Sequence, residues 1–488
     1  QVALTLMFAM YLMISNTSSL GMAIICMINS TAHSSRIDSS LILQLKPSEV
    51  RCNPCRTVLG LIPDAPFQLK KRLIVMSTRY ESCPIHSRRD SLPLHSLLGT
   101  LDWEPTKQSS LFSANYYGAL LTVFVSGILA DRFGPKRILL VTFTISTILT
   151  FTSPFLAQFN YWAYFIGRFI IGMGNGFLIP SINSLGGWWF PTTEKSSMAA
   201  LYTSGVQIAA GTSSLIGSRL CEVEFMGGWP LIFYLFGSMG VIFLLCFYIA
   251  VSDHPSDSRW LSKDELIFLE SSHHEKERKR VRISSIPWKS IFTSPAVYAC
   301  IFCNFTFSFA SSISLNFLPS YFKEELSLHL SSNGLYTMVP FLAQLVFKNI
   351  FAYSADYFKR SGRLTPTQTV KTFQAFSSFG TCISFLGLAL LPSCDRPWIA
   401  LVCGFLFGFS YSGGICGFFT CMMTVAPAYS GTITSLSMVF GQLGNALAPT
   451  SVSFVSLMEW PHKWQIILVF GAALQLISGV VFLVAASG

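Results

Sequence analysis

The chain has 488 residues, of which 51% are hydrophobic and only 11% charged, with a formal net charge of +10. A soluble domain carries about 25% charged residues, so this composition excludes an ordinary water-soluble globule. The basic balance could serve nucleic acid, but no stripe of basic and aromatic residues on a soluble module supports that partner, and the lipid bilayer is expected instead.

The apolar residues fall in runs of roughly twenty, the length a helix needs to cross about 30 Å of hydrocarbon. Open strands are excluded, because their edge groups would stay unpaired in lipid. In chain order the runs predict helices over 3–28, 109–130, 138–157, 161–183, 197–219 and 229–251. A second set follows over 296–318, 334–355, 368–391, 397–422, 431–456 and 464–486. The fold class is therefore an all-α membrane protein of about twelve transmembrane helices in two six-helix bundles. The expected domains are an N-terminal bundle over 1–251, a cytosolic linker over 252–294 and a C-terminal bundle over 295–488. The first run lacks a basic n-region and is too long for a signal-peptide core, so it reads as a span. The chain starts at Gln1 rather than Met, so an upstream segment is expected.

Two polar segments interrupt the spans. Residues 33–107 form a long loop with scattered Pro and Ser, and 252–294 carries the run His273 to Arg280, which reads as a solvated face near anionic headgroups. Long loops translocate largely regardless of charge, so orientation is read from the short ones. With the ends inside, the cytosolic segments hold Arg132, Lys136, Arg137, Lys195, Lys359, Arg360, Arg363 and Lys371 besides the linker's basic residues. The short outer loops hold Arg219, Lys323, Arg396 and Lys463. Both termini are therefore expected in the cytosol, in either the plasma membrane or an organelle membrane. Asn29-Ser-Thr31 then forms a glycosylation sequon on the outer side, while the sequons at Asn16 and Asn304 lie within spans.

Of the thirteen cysteines, Cys26, Cys246, Cys300, Cys303, Cys382, Cys403, Cys416 and Cys421 lie in apolar runs and read as small hydrophobes. Cys52 and Cys55 make one CxxC in the first loop, with Cys83 beyond. A zinc site needs four ligands, so no metal is expected, and a loop disulfide fits if the loop faces an oxidising compartment.

The halves repeat one pattern. Span two ends in Ala130-Asp131-Arg132-Phe133 and span eight in Ala355-Asp356-Tyr357-Phe358. The full stretch Gly127-Ile-Leu-Ala-Asp131-Arg132-Phe-Gly134-Pro-Lys136-Arg137 resembles the signature loop of the major facilitator superfamily. The chemistry suits a gate: Gly127 permits close helix contact, Gly134 a tight turn, and Asp131 can pair with basic groups or a helix N-terminus. Arg132, Lys136, Arg137 and Asp356 complete the expected gating set. Anchoring by positive charge alone would explain the basic residues but not the glycines and aspartate together.

Further motifs are similar to the anion–cation symporter family, which includes sodium/phosphate cotransporters, sialin and the vesicular glutamate transporters. They are Asp102-Trp103 with Gln108 and Tyr117-Gly118, then Gly167-Arg168-Phe-Ile-Ile-Gly172-Met-Gly174-Asn175-Gly176, Trp189-Phe-Pro191 with Glu194, and Gly228-Trp229. Ser252-Asp253-His254-Pro255, Leu318-Pro319-Ser320-Tyr321 and Ser332-Asn333-Gly334-Leu335 extend the likeness over roughly 100–440. The resemblance implies that Arg168 grips a substrate anion, a task suited to a planar guanidinium. The alternative is a structural arginine on backbone carbonyls. Tyr117 and Asn175, at motif positions of spans two and four, join it as expected substrate-binding residues. Lys348, the second intramembrane cation, either adds anion-attracting charge or snorkels to the surface.

Departures from the family pattern bear on coupling. Its span-one arginine aligns with Thr17, its span-four glutamate is Asn175, and its span-ten histidine and aspartate are lost in Cys421-Met422-Met423-Thr424. No histidine, aspartate or glutamate falls mid-span, so coupling through the family's usual protonatable groups is not expected, and co-transported sodium or proton stays open. No cofactor is expected. No clustered acid–base residues suggest an enzyme, and no P-loop suggests a pump. The leading expectation is a monomeric secondary transporter carrying a small organic or inorganic anion by alternating access. The rival is a transport-inactive sensor or scaffold of the same fold.

Overall fold

Proline and glycine set where the helices start. Pro sits in the first turn of five of them, where its missing N–H would be unpartnered anyway. In the computed structural model, which describes residues 2–28, 101–189, 195–223, 225–258, 261–262, 265–267, 288–393, 395–425, 430–458, 460 and 462–486, the first six long helices are α1 (Val2–Met27), α2 (Pro105–Phe133), α3 (Pro135–Phe159), α4 (Tyr161–Trp189), α5 (Lys195–Cys221) and α6 (Trp229–Ala250). A short helix, Trp288–Thr293, precedes α7 (Pro295–Leu326), α8 (Leu330–Arg360), α9 (Pro366–Leu390), α10 (Trp398–Tyr411), α11 (Ser430–Leu457) and α12 (Lys463–Ala485). These match the expected spans within a turn or two, except that span ten is broken. After α10 the chain passes through a 3-10 turn at Ser412–Ile415 and resumes as Phe418–Thr424, where three glycines in five residues weaken an α-helix.

Nine of the described helical segments are long and apolar enough to cross a membrane. The three long helices outside that set are α2, α5 and α11, of 29, 27 and 28 residues. All three carry contacts between the two helix sets, α2 on α11 and α5 on α8.

The packing repeats with a step of six helices. Pairs α2–α4, α1–α5, α3–α4, α3–α6 and α1–α6 are matched by α8–α10, α7–α11, α9–α10, α9–α12 and α7–α12. The pairs α1–α7, α2–α11 and α5–α8 then join the two sets. Such a pattern is what two parallel repeats related by an axis along the membrane normal produce. Within the first set, α2 and α4 approach closely: a Cβ at Gly118 or Gly172 would collide with the facing backbone at Phe169 or Asn115. Only glycine fits there.

Residues 29–100 lie outside the description, and the described residues on either side of them meet. Leu101 donates its N–H to the Met27 carbonyl at 3.0 Å, so α2 begins on the face where α1 ends. That face is called the far face below, and the opposite one, with the two chain ends, the terminal face. Asn29, Cys52, Cys55 and Cys83 lie outside the described residues. Cys26 does not behave as the expected small hydrophobe: it is disulfide-bonded to Cys221, joining the far-face ends of α1 and α5. The pairing spans 195 residues of sequence, so hydropathy alone could not reveal it.

Candidate functional site

On the far-face side the two helix sets are fastened together. Lys323 on α7 donates to the Ile25 carbonyl at 2.8 Å, Asn316 on α7 to the Tyr116 hydroxyl at 2.9 Å, and Ser453 on α11 to the Thr106 carbonyl at 3.4 Å. The rings of Phe112 and Phe317 pack with centroids 4.9 Å apart. Tyr117 belongs to this seam: its hydroxyl lies 3.1 Å from Thr450 Oγ1 on α11.

Arg168 sits seven residues into α4, about 10 Å from the far-face end at 1.5 Å per residue. It is 1% exposed. Its Nη1 donates to the Asn16 carbonyl at 3.0 Å, while Nε and Nη2 are buried without a hydrogen-bond partner. Tyr164, one turn earlier, has a buried and unpartnered hydroxyl as well, and Tyr164 and Tyr116 are the groups nearest in electrostatic reach. Among the described residues no carboxylate pairs with this guanidinium. An intramembrane charge without a counter-ion costs several kcal/mol even on the mildest scales, and two idle N–H groups on one fork are what a bidentate acceptor would take up.

Asn175 is not beside Arg168's free fork. It donates to Asn115 Oδ1 at 3.1 Å and to Thr17 Oγ1 at 3.4 Å, and Asn115 reaches the same Thr17 oxygen at 3.5 Å. Thr17 and Asn175 are the two positions where the resembled family carries an arginine and a glutamate. The fold therefore brings both departures into one neutral hydrogen-bonded cluster.

Of the two expectations for Lys348, anion-attracting charge or snorkelling, the structure does not show the second. Lys348 is 4% exposed, so it does not snorkel. Its ammonium donates to Thr203 Oγ1 at 3.2 Å and to Ser204 Oγ and Gln207 Oε1 at 3.3 Å, all on α5. These are neutral acceptors, and no carboxylate lies within 4 Å among the described residues. Lys348 lines a cavity of about 210 Å³ formed by α5 from one helix set and by α7, α8 and the α10 turn from the other. Its other walls include Gln207, Gln344, Phe307, Phe341 and Tyr411. Gln207, Gln344, Phe307 and Phe341 fall near the midpoints of their helices, and Tyr411 closes α10 at the break in span ten. Sequence reasoning had singled out Lys348 alone; the rest look like ordinary span residues until α5, α7 and α8 converge.

The residues expected to form a gate lie at the terminal face. Gly134 has φ +88°, a conformation L side chains rarely adopt, and turns α2 directly into α3. Its expected neighbour Asp131 has a side chain outside the described residues. The carboxylate found at the turn is Asp253, which accepts the Lys136 backbone N–H at 2.8 Å and so caps the N-terminus of α3. Lys136 also donates its ammonium to the Tyr248 carbonyl at 3.0 Å. At Gly127 the expected close helix contact is not seen among the described residues, where an added Cβ would meet nothing within 4 Å. Arg132 and Arg137 are exposed, and Asp356 is a solvated carboxylate 3.8 Å from Lys359, a pairing worth little at a surface.

Comparison with known proteins agrees with this architecture. The family model described as the Major Facilitator Superfamily matches residues 91–449. An uncharacterized transporter of Caenorhabditis elegans, slc-17.3, is 31% identical over 391 residues, covering 80% of this chain and 73% of that protein. The chloroplastic sodium-dependent phosphate transport protein 1 of Arabidopsis thaliana is 27% identical over 395 residues, covering 80% and 73%. Among solved structures, a D-xylose-proton symporter superposes with a TM-score of 0.66 at 13% identity, covering 100% of this chain and 97% of that one, which speaks to the fold alone. A repeated six-helix pairing, a matched model over most of the length and relatives of the same kind lead to one conclusion: this multi-pass membrane protein is a transporter, not an enzyme, and it belongs to the Major Facilitator Superfamily, in the anion–cation symporter family.

Proposed function

We propose that the chain moves a small organic or inorganic anion through the mid-membrane cavity between its two helix sets, by alternating access. The observation that carries this is the Lys348 ammonium, buried at the cavity wall and held only by neutral oxygens. Buried charges are retained where they serve a pathway or ligand, and an anion would complete this one. Arg168, with Nε and Nη2 unpartnered, does not line this cavity and would meet the anion separately, nearer the far face. The far-face seam around Tyr117, Asn316 and Lys323 is the gate that must open when the cavity turns outward. The Gly134 turn with Lys136 and Asp253, and the segment around Asp356, belong to the opposite gate. A relative named as a sodium-dependent phosphate transport protein supports the anionic class.

The same reading places both termini in the cytosol and the 252–294 linker there with them, between domains 1–251 and 295–488. Two independent features support this orientation: the basic residues concentrated at the terminal face, and the Cys26–Cys221 disulfide at the far face, which belongs in an oxidising compartment. Asn29 then lies on the glycosylated side. The neutral Thr17–Asn115–Asn175 cluster supports coupling other than by a proton carried there. The test is uptake by purified protein in vesicles over a panel of anions, with sodium and pH gradients imposed separately. Saturable uptake lost in Lys348→Gln supports the carrier, and a panel with no protein-dependent uptake supports the scaffold alternative.

A further inference from the structure

The cavity walls narrow the substrate class, on the footing that the chain is an anion carrier. Much of the lining is apolar: Phe307, Phe341, Leu315 and Ile415 among others. The Phe307 and Tyr411 rings stack on each other with centroids 3.6 Å apart at an interplanar angle of 15°, so a ligand ring would meet the outer face or the edges of this aromatic pair. Several of the polar lining groups are already committed. Tyr411 donates its hydroxyl to the Phe307 carbonyl at 3.2 Å, and Ser412 donates to the Gly408 carbonyl at 2.8 Å. Neither hydroxyl proton is free for a ligand.

What remains for a ligand is the charge of Lys348, whose three N–H groups rest on neutral oxygens of Thr203, Ser204 and Gln207 that an anion would replace, flanked by the Gln207 and Gln344 amides and the Ser311 hydroxyl. One cation and two amides suit one negative charge. A doubly charged tetrahedral oxyanion would bring a second charge and more acceptor oxygens than this wall can serve, and unserved acceptors are costly when buried. The volume points the same way. At about 30 Å³ per water, 210 Å³ holds roughly seven waters, more than a small oxyanion displaces, and much of that water would rest on aromatic and aliphatic surface. A ring would displace it and gain the transfer energy of its own apolar area.

We infer that this cavity takes a monovalent organic anion with a flat apolar body, its charged head on Lys348 and its ring against Phe307 and Tyr411, in preference to inorganic phosphate. The probes are benzenesulfonate, methanesulfonate, benzene-1,3-disulfonate and phosphate, each tested for uptake and mutual competition with the full chain in proteoliposomes. Benzenesulfonate should bind roughly tenfold or more tightly than methanesulfonate, as expected for burying one ring, and should outcompete both the disulfonate and phosphate. Phe307→Leu, which nearly preserves apolar volume, should shrink the ratio of benzenesulfonate to methanesulfonate affinity by roughly fivefold. Lys348→Gln should abolish uptake of both monoanions in protein that elutes and melts like the wild type. Should Lys348→Gln fail to fold, the Phe307→Leu ratio still decides. Phosphate taken up with higher affinity than benzenesulfonate, or a ring preference unmoved by Phe307→Leu, overturns the inference and leaves the carrier reading intact. Saturable uptake of none of the four overturns the carrier reading itself.

Discussion

Replacing Arg168 by lysine separates a substrate ligand from a structural arginine. The wild-type guanidinium spends Nη1 on the Asn16 carbonyl and leaves Nε and Nη2 buried and idle. Lysine keeps the charge and can still reach one carbonyl, but it lacks the planar fork. If a bound anion uses both idle N–H groups, the variant loses at least one charge-assisted hydrogen bond, worth about 1.5–3 kcal/mol. At 1.4 kcal/mol per factor of ten, uptake efficiency should fall roughly 10- to 150-fold. Arg168→Ala, which removes the charge too, should fall further. The assay is initial-rate uptake in proteoliposomes, normalised to protein that elutes as a single peak, with KM and the maximal rate resolved separately. A structural arginine would instead show lowered thermal stability and normal kinetics in the folded fraction. Arg168→Lys with wild-type KM and maximal rate would refute the assignment.

Three further outcomes follow from the geometry. Restoring a protonatable group at the neutral cluster by Asn175→Glu should make uptake more dependent on an imposed pH gradient than in the wild type, and an unchanged pH response would show that this position does not couple. Non-reducing peptide mapping should recover Cys26 linked to Cys221, and Cys26→Ser should lower stability by about 2–4 kcal/mol; both cysteines recovered as free thiols from protein expressed in eukaryotic cells would contradict the pairing and the orientation it supports. Gly134→Val forces a β-branched residue into φ +88° with its Cβ about 3.1 Å from the Asp253 carboxylate, so folded yield should drop by the equivalent of about 1–3 kcal/mol, and yield equal to the wild type would remove the turn from the account.

The helices were legible because lipid imposes a length and an apolar run on each span. The signal thinned at α2, α5 and α11, which are less uniformly apolar than the other spans. The Gly134 turn was legible too, since a positive φ selects its residue type. Its partner was not: Asp253 lies 117 positions from Lys136, and no local pattern binds the two. The same holds for Cys26 and Cys221, and for the meeting of Thr17 with Asn175. Arg168 could be singled out as a costly charge, yet only the fold reveals that two of its donors are idle. Lys348 was caught between two readings because hydropathy cannot tell a snorkelling lysine from one tucked beneath Thr203, Ser204 and Gln207.

On the proposed reading, one mid-membrane site faces each side of the membrane in turn. Counterflow tests it most directly. Vesicles holding the purified chain are preloaded with an unlabelled monoanion, diluted into a trace of the same labelled anion, and followed with no ion gradient or voltage imposed. An alternating-access carrier should accumulate label transiently above its equilibrium level, with the overshoot lost in Lys348→Gln. Label that only rises monotonically to equilibrium, at the same rate with and without protein, would contradict the account.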